Sequence, residues 1–289
     1  MQRKSKKFEE FRREYLRVSK YYDSVEDLRK DLSAYDLFVS GGDQVWNPYH
    51  KVFSLHYMFD FLPETTARIA YGSSFGVANI AENALLEQMK NHLSKYRAIG
   101  VREQSGVDII NAMGIQAVQV LDPVFLLKDK WNSFVGASPL KKKYCLVYAL
   151  IEYPQPEKEK IKEFARKRGL EVVILPFNRQ NCLNGFTKGF GLSPQEFLNY
   201  LANAEYVFTN SFHGLAFSIL LQKQFVLLGC DSEEGRAKRE RLIDIITQFN
   251  IGERSFLEQD KKIDYESVNE ILSNRIADSE TYIQNAINN

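Results

Sequence analysis

The six residues from Thr209 to Gly214 carry the most specific chemical pattern in the chain. They read Thr-Asn-Ser-Phe-His-Gly and lie between a predicted strand and a predicted helix. Ser211 or Asn210 can cap that helix, and the N–H groups at a helix N-terminus bind phosphate or carboxylate. His213, in the first turn, would lie beside such an anion, and histidine can donate a proton near neutral pH. The alternative is a histidine that packs at the helix start and bonds to backbone groups.

Cationic side chains that could hold the same anion follow two other strands. Arg102 comes directly after the predicted strand 98–101, where a guanidinium can bind a carboxylate through two hydrogen bonds. Its alternative role is a pair with the neighbouring Glu103. Further along, the run Gly-Arg-Ala-Lys-Arg that ends at Arg239 follows a strand and could close over the anion from a mobile loop, although a charge run by itself favours a solvated face.

A third group, Asp43, Trp46 and Asn47, lies in a glycine-containing turn and is suited to a sugar. A carboxylate and an amide can bond to hydroxyl groups, and an indole can cover the face of a sugar ring. The alternative is ordinary turn chemistry together with one core tryptophan.

All of these groups lie in loops that follow apolar segments. Short apolar runs alternate with segments of helical periodicity, which predicts α/β domains with mostly parallel sheets. Polar clusters follow the predicted strands at residues 41–48, 72–76 (with Ser73 and Ser74), 102–106, 122–123 and 210–214. Ordinary turns and caps would explain any one of them. Because ligands bind outside the carboxyl ends of strands in open α/β sheets, the clusters together predict one cleft.

The chain has 289 residues, which is long enough for two domains. Five lysines with Gly136 and Pro139 as breakers indicate a linker, and a Gly/Asn-rich loop is predicted over 178–192. The predicted organisation is an N-terminal domain over 1–127, a linker over 128–143, a C-terminal domain over 144–263 and a final helix over 264–289.

Composition excludes several classes of protein. Lys and Arg number 38 against 37 Asp and Glu, so no global charge attracts nucleic acid. No apolar run approaches the ~18–20 residues of a membrane span. Three dispersed cysteines indicate a reducing compartment and no zinc site, so we expect a cytoplasmic protein that could act at the inner membrane face. No GxGxxG, GxxxxGK[ST] or HExxH motif is present, so neither NAD, ATP nor a metal is expected.

Five motifs, in order along the chain, resemble those of a known family. They are Asp-Leu-Phe-Val-Ser-Gly-Gly-Asp-Gln-Val-Trp-Asn-Pro at 36–48, Ala-Tyr-Gly-Ser-Ser-Phe-Gly at 70–76, Val-Arg-Glu-Gln-Ser-Gly at 101–106, Val-Leu-Asp-Pro-Val-Phe-Leu-Leu at 120–127 and Thr-Asn-Ser-Phe-His-Gly at 209–214. From about residue 8 to residue 255 the chain resembles the polysaccharide pyruvyl transferases. Each motif alone is modest, but five in one order are specific.

The resemblance implies two Rossmann-like domains that face a cleft, as in GT-B glycosyltransferases. It implies phosphoenolpyruvate as the donor, no further cofactor, and a free or lipid-linked saccharide as the acceptor. The product would be a pyruvate ketal in surface polysaccharide synthesis. By this resemblance His213 is the acid or a phosphate ligand, while Arg102 and, by a looser match, Arg239 clamp the donor's anions. Asp43 would contact the acceptor or act as its base.

Two other functions remain compatible with the residues. The first is a GT-B-type nucleotide-sugar glycosyltransferase, in which Glu233 or Glu234 would hold the ribose. The second is a non-catalytic paralogue that binds sugars or anions. Members of the family usually have a further strand, loop and helix before the segment that matches residue 8. We therefore expect an incomplete first domain, which favours the non-catalytic alternative.

Overall fold

The computed structural model describes residues 2–175, 187–188, 191–229 and 233–288. The chain divides into two compact units. The four-stranded unit comprises residues 20–126 and 270–289, and the five-stranded unit comprises residues 1–19 and 127–269. Each is named after its sheet as counted among the described residues.

Strands and helices alternate through most of the chain. The strands are β1 (Phe38–Gly42), β2 (Arg68–Ser73), β3 (Ala98–Val101), β4 (Val118–Gln119), β5 (Tyr144–Tyr148), β6 (Glu171–Ile174), β7 (Thr187–Lys188), β8 (Tyr206–Thr209) and β9 (Phe225–Leu227). The α-helices are α1 (Gln2–Tyr15), α2 (Val25–Arg29), α3 (Asn83–Leu93), α4 (Gln104–Ala112), α5 (Pro123–Leu126), α6 (Lys128–Trp131), α7 (Gln155–Arg168), α8 (Pro194–Ala202), α9 (Phe212–Leu220), α10 (Glu233–Gln248) and α11 (Tyr265–Asn288). Short 3₁₀ turns lie at Leu32–Ala34, Leu55–Met58, Asn132–Phe134 and Phe256–Glu258.

The sheet of the four-stranded unit has the order β1-β2-β3-β4, and every neighbouring pair is parallel. Strand β2 is buried along its whole length, because helices and loops cover a parallel sheet on both faces. The core of the four-stranded unit includes Trp46, Phe75, Met89 and Ile110, each fully buried. The order places the carboxyl ends of four consecutive strands along one edge.

The sheet of the five-stranded unit has the order β7-β6-β5-β8-β9 and is also parallel throughout. Counted within the unit, this order is 3-2-1-4-5, that of a doubly wound sheet. The strand order reverses between β5 and β8, and the crevice at such a switch point is the usual ligand site of this architecture.

Long-range contacts decide the unit to which each terminal helix belongs. Helix α1 joins the five-stranded unit, where Lys7 Nζ bonds to the Glu196 carboxylate at 2.6 Å and Tyr15 packs on Phe134 with ring centroids 5.2 Å apart. Most of α11 joins the four-stranded unit, where the Tyr282 hydroxyl donates to the Ala70 carbonyl at 2.7 Å. The sequence predicts an N-terminal domain over 1–127 and a separate final helix over 264–289, whereas α1 groups with the five-stranded unit and most of α11 with the four-stranded unit.

The prediction of two Rossmann-like α/β domains of GT-B-like type is confirmed at the level of the two parallel sheets. The predicted linker region begins with α6 and a 3₁₀ turn. The loop predicted over 178–192 lies mostly outside the described residues, and its described part includes β7. Within the described segments, no helix is both long and apolar enough to cross a membrane.

Candidate functional site

Polar side chains from all four strand ends of the four-stranded unit meet at one edge of its sheet. Asp43 follows β1, Ser74 follows β2, Arg102 and Glu103 follow β3, and Asp122 comes three residues after β4. We call these five residues the Arg102 cluster. They are far apart in the sequence, and parallel strands in consecutive order bring their carboxyl ends together.

The guanidinium of Arg102 lies at the centre of this cluster. Its Nη1 donates to Asp122 Oδ2 at 2.9 Å, and its Nη2 donates to Asp43 Oδ1 at 2.8 Å. Both Nε and Nη2 donate to Glu103 Oε1, at 3.1 and 2.9 Å. Nη2 also donates to the Ser74 hydroxyl at 3.0 Å, and that hydroxyl in turn donates to Glu103 Oε1 at 2.5 Å. One cation thus holds three carboxylates.

The members of the cluster differ sharply in exposure. The side chains of Arg102, Glu103 and Asp122 are 2%, 3% and 6% exposed, whereas that of Asp43 is 44% exposed. Burial alone would lower the pKa of Arg102, but the charges of Glu103, Asp122 and Asp43 outweigh it and raise the pKa. Arg102 therefore stays charged, and the cluster presents one half-exposed carboxylate to solvent.

This geometry changes the expectation for Arg102. The alternative of a pair with Glu103 is present, together with two further carboxylates. A substrate anion could bind the guanidinium only by displacing one of them. Arg102 therefore lies buried beneath the half-exposed Asp43, and the role of Arg102 as an anion clamp stays a prediction.

Three other predicted binding residues of this unit make structural contacts. Trp46 is 0% exposed, its indole N–H donates to the Tyr57 carbonyl at 3.0 Å, and no ring face is available to a sugar. The expected stacking of Trp46 on a sugar is wrong, because the side chain fills the core. Asn47 bonds to the Gln44 side chain at 2.8 Å, and the Ser73 hydroxyl donates to the Ser40 carbonyl at 3.1 Å. Both are buried.

In the five-stranded unit, His213 lies in the first turn of α9. Ser211 is the N-cap, and its hydroxyl accepts the Gly214 N–H at 3.3 Å. His213 is the second residue of the helix and is partly buried, with its ring 5.4 Å from that of Phe212. The positive end of the helix dipole therefore lies beside a titratable side chain, which suits an anion that receives a proton.

Asn210 connects the two strands that flank the switch point. Its Oδ1 accepts the N–H groups of Leu150 and Ile151 at 2.8 and 3.4 Å, and its Nδ2 donates to the Ile151 carbonyl at 3.0 Å. These bonds join the loop after β5 to the loop after β8. Asn210 and Ser211 are each 2% exposed, so they shape the crevice from within the protein and their polar groups are buried.

Arg239 lies elsewhere in the same unit. Helix α10 begins at Glu233, so the basic run that ends at Arg239 is helical, and the expected loop is wrong. Hydrogen bonds along the helix satisfy backbone groups that a loop would leave to solvent. Arg239 lines a cavity of about 480 Å³ with Leu227, Ile246 and Arg254, and its Nη2 lies 3.6 Å from Glu253 Oε1. The side chains of Glu233 and Glu234, weighed above as ribose ligands, lie outside the described atoms.

Sequence reasoning placed residues 122–123 among the cleft loops but gave Asp122 no role, and it treated Glu103 only as an ordinary partner of Arg102. Both follow strands directly or closely, which was the available signal. In the part of the chain that the structure describes, no group of three or more His, Cys, Asp or Glu could hold a metal ion. At the Arg102 cluster a guanidinium occupies the centre of the three carboxylates.

Comparison with known proteins gives a family and a fold. The family model described as polysaccharide pyruvyl transferase matches residues 2–232. A comparison with curated proteins found no match.

Similar solved structures include three UDP-GlcNAc 2-epimerases. The Neisseria meningitidis enzyme, solved with UDP-GlcNAc, has 10% identity and a TM-score of 0.52, with 94% of this chain and 84% of that chain covered. The Methanocaldococcus jannaschii enzyme has 12% identity and a TM-score of 0.52, with 86% and 73% covered. The Rickettsia bellii enzyme has 11% identity and a TM-score of 0.51, with 96% and 87% covered. At these identities the likeness concerns the fold alone.

Proposed function

Since the chain belongs to the polysaccharide pyruvyl transferase family, we propose that it transfers a pyruvyl group from phosphoenolpyruvate to two hydroxyls of a saccharide. The product is a pyruvate ketal. The observation that carries the proposal is the family match over residues 2–232, which includes both the Arg102 cluster and the start of α9. The chemistry below explains why the residue types at these two places suit the reaction.

The reaction needs an acid, a base and groups that bind anions. A proton added to the enol CH₂ carbon of phosphoenolpyruvate makes it a methyl group and leaves C2 electrophilic. A sugar hydroxyl then adds to C2 and loses its proton. The bond from C2 to the phosphate oxygen breaks, phosphate leaves, and a second hydroxyl closes the ketal as its proton is lost. One donor and one diol thus give one ketal and one phosphate.

His213 is proposed as the acid that protonates the enol carbon or as a ligand of the phosphate. Its place in the first turn of α9 supports either role, because the helix N-terminus favours a phosphate or carboxylate beside the imidazole. Ser211 and Asn210 act indirectly, by capping the helix and fixing the neighbouring loop. Arg239, in the same unit, is retained as a further cation whose contribution a substitution can test.

Asp43 is proposed as the base for the acceptor hydroxyl. It is the exposed carboxylate of the Arg102 cluster, and a carboxylate can accept a proton or a hydrogen bond from a sugar hydroxyl. The Ser74 hydroxyl accepts a hydrogen bond from Arg102 Nη2 and so helps to orient the guanidinium that binds Asp43. The buried members of the cluster keep the guanidinium oriented while Asp43 remains accessible.

The test incubates the protein with phosphoenolpyruvate and a panel of free and lipid-linked saccharides. Phosphate release is followed, and the ketal methyl group is identified by NMR. The His213→Gln variant should lower the transfer rate at least about 100-fold, as expected for loss of a general acid. The exposed His50 supplies the matched control, since His50→Gln makes the same change outside the Arg102 cluster and outside α9. An unchanged rate in His213→Gln refutes the role of His213, and no phosphate release with any acceptor refutes the transferase.

A second candidate is nucleotide-sugar chemistry. The observation that favours it is the shared fold with the Neisseria meningitidis epimerase, which was solved with UDP-GlcNAc. The same panel, with UDP-GlcNAc in place of phosphoenolpyruvate, separates the two: release of UDP or epimerisation supports this candidate. Stabilisation by phosphoenolpyruvate without turnover would instead support a binding protein.

A further inference from the structure

We propose that Asp43 occupies the place on Arg102 that the carboxylate of the donor takes, so that donor binding releases Asp43 towards the acceptor. This inference rests on the proposed function. It assigns the donor's carboxylate to Arg102 Nη2. Asp43 then binds Arg102 before the donor arrives and the acceptor hydroxyl afterwards. No covalent bond is made or broken in the exchange, because one carboxylate replaces another on the same guanidinium.

The geometry leaves Arg102 oriented when Asp43 moves away. Its Nε remains bonded to Glu103 Oε1 at 3.1 Å, and its Nη1 remains bonded to Asp122 Oδ2 at 2.9 Å. The Asp122 side chain is itself fixed, since its Oδ1 accepts the Val124 N–H at 3.0 Å. Only Nη2 would change its carboxylate partner, so a donor would meet a guanidinium whose plane is already set.

Exposure identifies Asp43 as the carboxylate that can be exchanged. It is 44% exposed, against 3% for Glu103 and 6% for Asp122. Asp43 covers Arg102, which is only 2% exposed while the pair is formed. It also lies between two residues with positive φ, Gly42 at +129° and Gln44 at +54°. Few residues adopt these angles, so the backbone conformation of the turn fixes the position of Asp43 at the guanidinium.

The balance of charge and hydrogen bonds favours exchange over simple addition. Three carboxylates already share one guanidinium, and among the described residues the buried Glu103 Oε2 has no hydrogen-bond partner. A fourth carboxylate would add a further negative charge to a buried group that already holds three. Replacement of Asp43 by the carboxylate of the donor keeps the number of carboxylates on Arg102 at three.

The exchange couples the two substrates. While Asp43 is bonded to Arg102, its carboxylate is partly neutralised and less able to accept a proton from a hydroxyl. Once the donor takes Nη2, Asp43 is free of that cation and becomes a better base. The acceptor's base is thus released only when the donor is bound, which protects the enzyme from unproductive acceptor complexes.

The test measures phosphoenolpyruvate affinity by calorimetry in the whole chain. An ion pair with a half-exposed partner competes with the donor by a factor of about five, so Asp43→Asn should tighten binding about fivefold while transfer falls. Glu103→Gln removes the same charge from the same cluster but leaves the competing Asp43 in place. It should leave the affinity unchanged or weaker. Asp36→Asn, at an exposed site before β1, controls for the change in total charge.

Each outcome decides the inference. Equal tightening in Asp43→Asn and Glu103→Gln would mean simple electrostatics and would overturn the exchange, as would unchanged or weaker binding in Asp43→Asn. Pyruvate and inorganic phosphate serve as partial probes: the exchange requires that Asp43→Asn tightens pyruvate, and tightening of phosphate alone overturns the assignment to the carboxylate. Asp43→Ala should reproduce the sign if the asparagine variant folds poorly. A wild-type protein that neither binds nor consumes phosphoenolpyruvate refutes the proposed function itself.

Discussion

Replacement of Asn210 by alanine is expected to destabilise the five-stranded unit without removing a direct substrate contact. The side chain is 2% exposed and joins the loops that follow β5 and β8. The sequence pattern instead favours a substrate ligand at this position. The substitution therefore separates a positioning role from a binding role at the switch point of the sheet.

The size of the effect follows from the hydrogen bonds that are lost. Two of them have ordinary lengths, 2.8 Å to the Leu150 N–H and 3.0 Å to the Ile151 carbonyl, while the third is long at 3.4 Å. At a net contribution of about 1 kcal/mol for each good bond, the free energy of unfolding should fall by about 2 kcal/mol. For a unit of this size, that corresponds to a Tm lower by about 4–8 °C.

The two tryptophans make the assay specific for one unit. Trp46 lies in the four-stranded unit and Trp131 in the five-stranded unit, and the chain contains no other tryptophan. In a Trp46→Phe background, urea unfolding followed by fluorescence reports on the five-stranded unit through Trp131. Its ring contacts that of Phe217 at 5.2 Å, so its emission should change on unfolding. Comparison of Asn210→Ala with the same background isolates the contribution of Asn210.

Affinity supplies the second measurement. The direct-ligand alternative predicts normal stability with strongly weakened phosphoenolpyruvate binding, and that result would refute the positioning role. Asn210→Asp keeps the size and the Oδ1 acceptor but replaces the Nδ2 donor by an oxygen that faces the Ile151 carbonyl. It should therefore also destabilise the unit, although it retains the bond to the Leu150 N–H.

Three further predictions use the same fluorescence readout of the relevant unit or its thermal unfolding. Arg102→Met should cost the four-stranded unit about 3–5 kcal/mol, because two buried carboxylates lose their cation, and a cost below about 1 kcal/mol would contradict the cluster. Glu196→Gln should cost about 0.5–1 kcal/mol at pH 7, because it keeps the capping box of α8 but removes the charge that Lys7 and the helix N-terminus stabilise. Partial burial alone would raise the pKa of Glu196, but hydrogen bonds from Lys7 and from the N-cap residue hold it below its usual value. The stabilisation by the Glu196 charge is therefore present above the pKa of Glu196 in the unfolded chain and is lost as pH falls through its pKa in the folded chain. A difference in stability between wild type and Glu196→Gln that persists at pH 3 argues against this contribution. Gly214→Ala should cost about 1–3 kcal/mol, since an added Cβ would clash with Thr209 Oγ1, and wild-type stability would show that the corner can relax.

Much of the fold could be predicted because secondary structure follows local patterns. The apolar runs at 98–101 and 206–209 coincide with β3 and β8, and Ser211 caps α9 as its residue type suggests. The sequence also located polar groups at strand ends, where parallel sheets bind ligands. It could not assign partners to them: whether Arg102 faces a substrate or the protein's own carboxylates depends on which strands lie side by side.

Trp46 is a second residue whose role the local sequence cannot decide. Aspartate, asparagine and tryptophan in one turn are compatible both with a sugar site and with a core residue next to a polar turn. Only packing separates these alternatives, and the ring lies edge-on to Phe75 with centroids 5.5 Å apart and no exposed surface. Burial is set by residues distant in the chain, so no local pattern could have decided it.

The sequence by itself determined most of the strands and helices, the position of His213 at a helix start and that of Arg102 at a strand end, because these depend on neighbours within a few residues. The tertiary structure decided that Asp43, 59 residues from Arg102 in the chain, and Asp122, 20 residues from it, share one guanidinium. The physical reason is the range of the forces. Hydrogen bonds and ion pairs act over about 3–4 Å, so only the lateral order of the strands, a long-range property, brings these charges together.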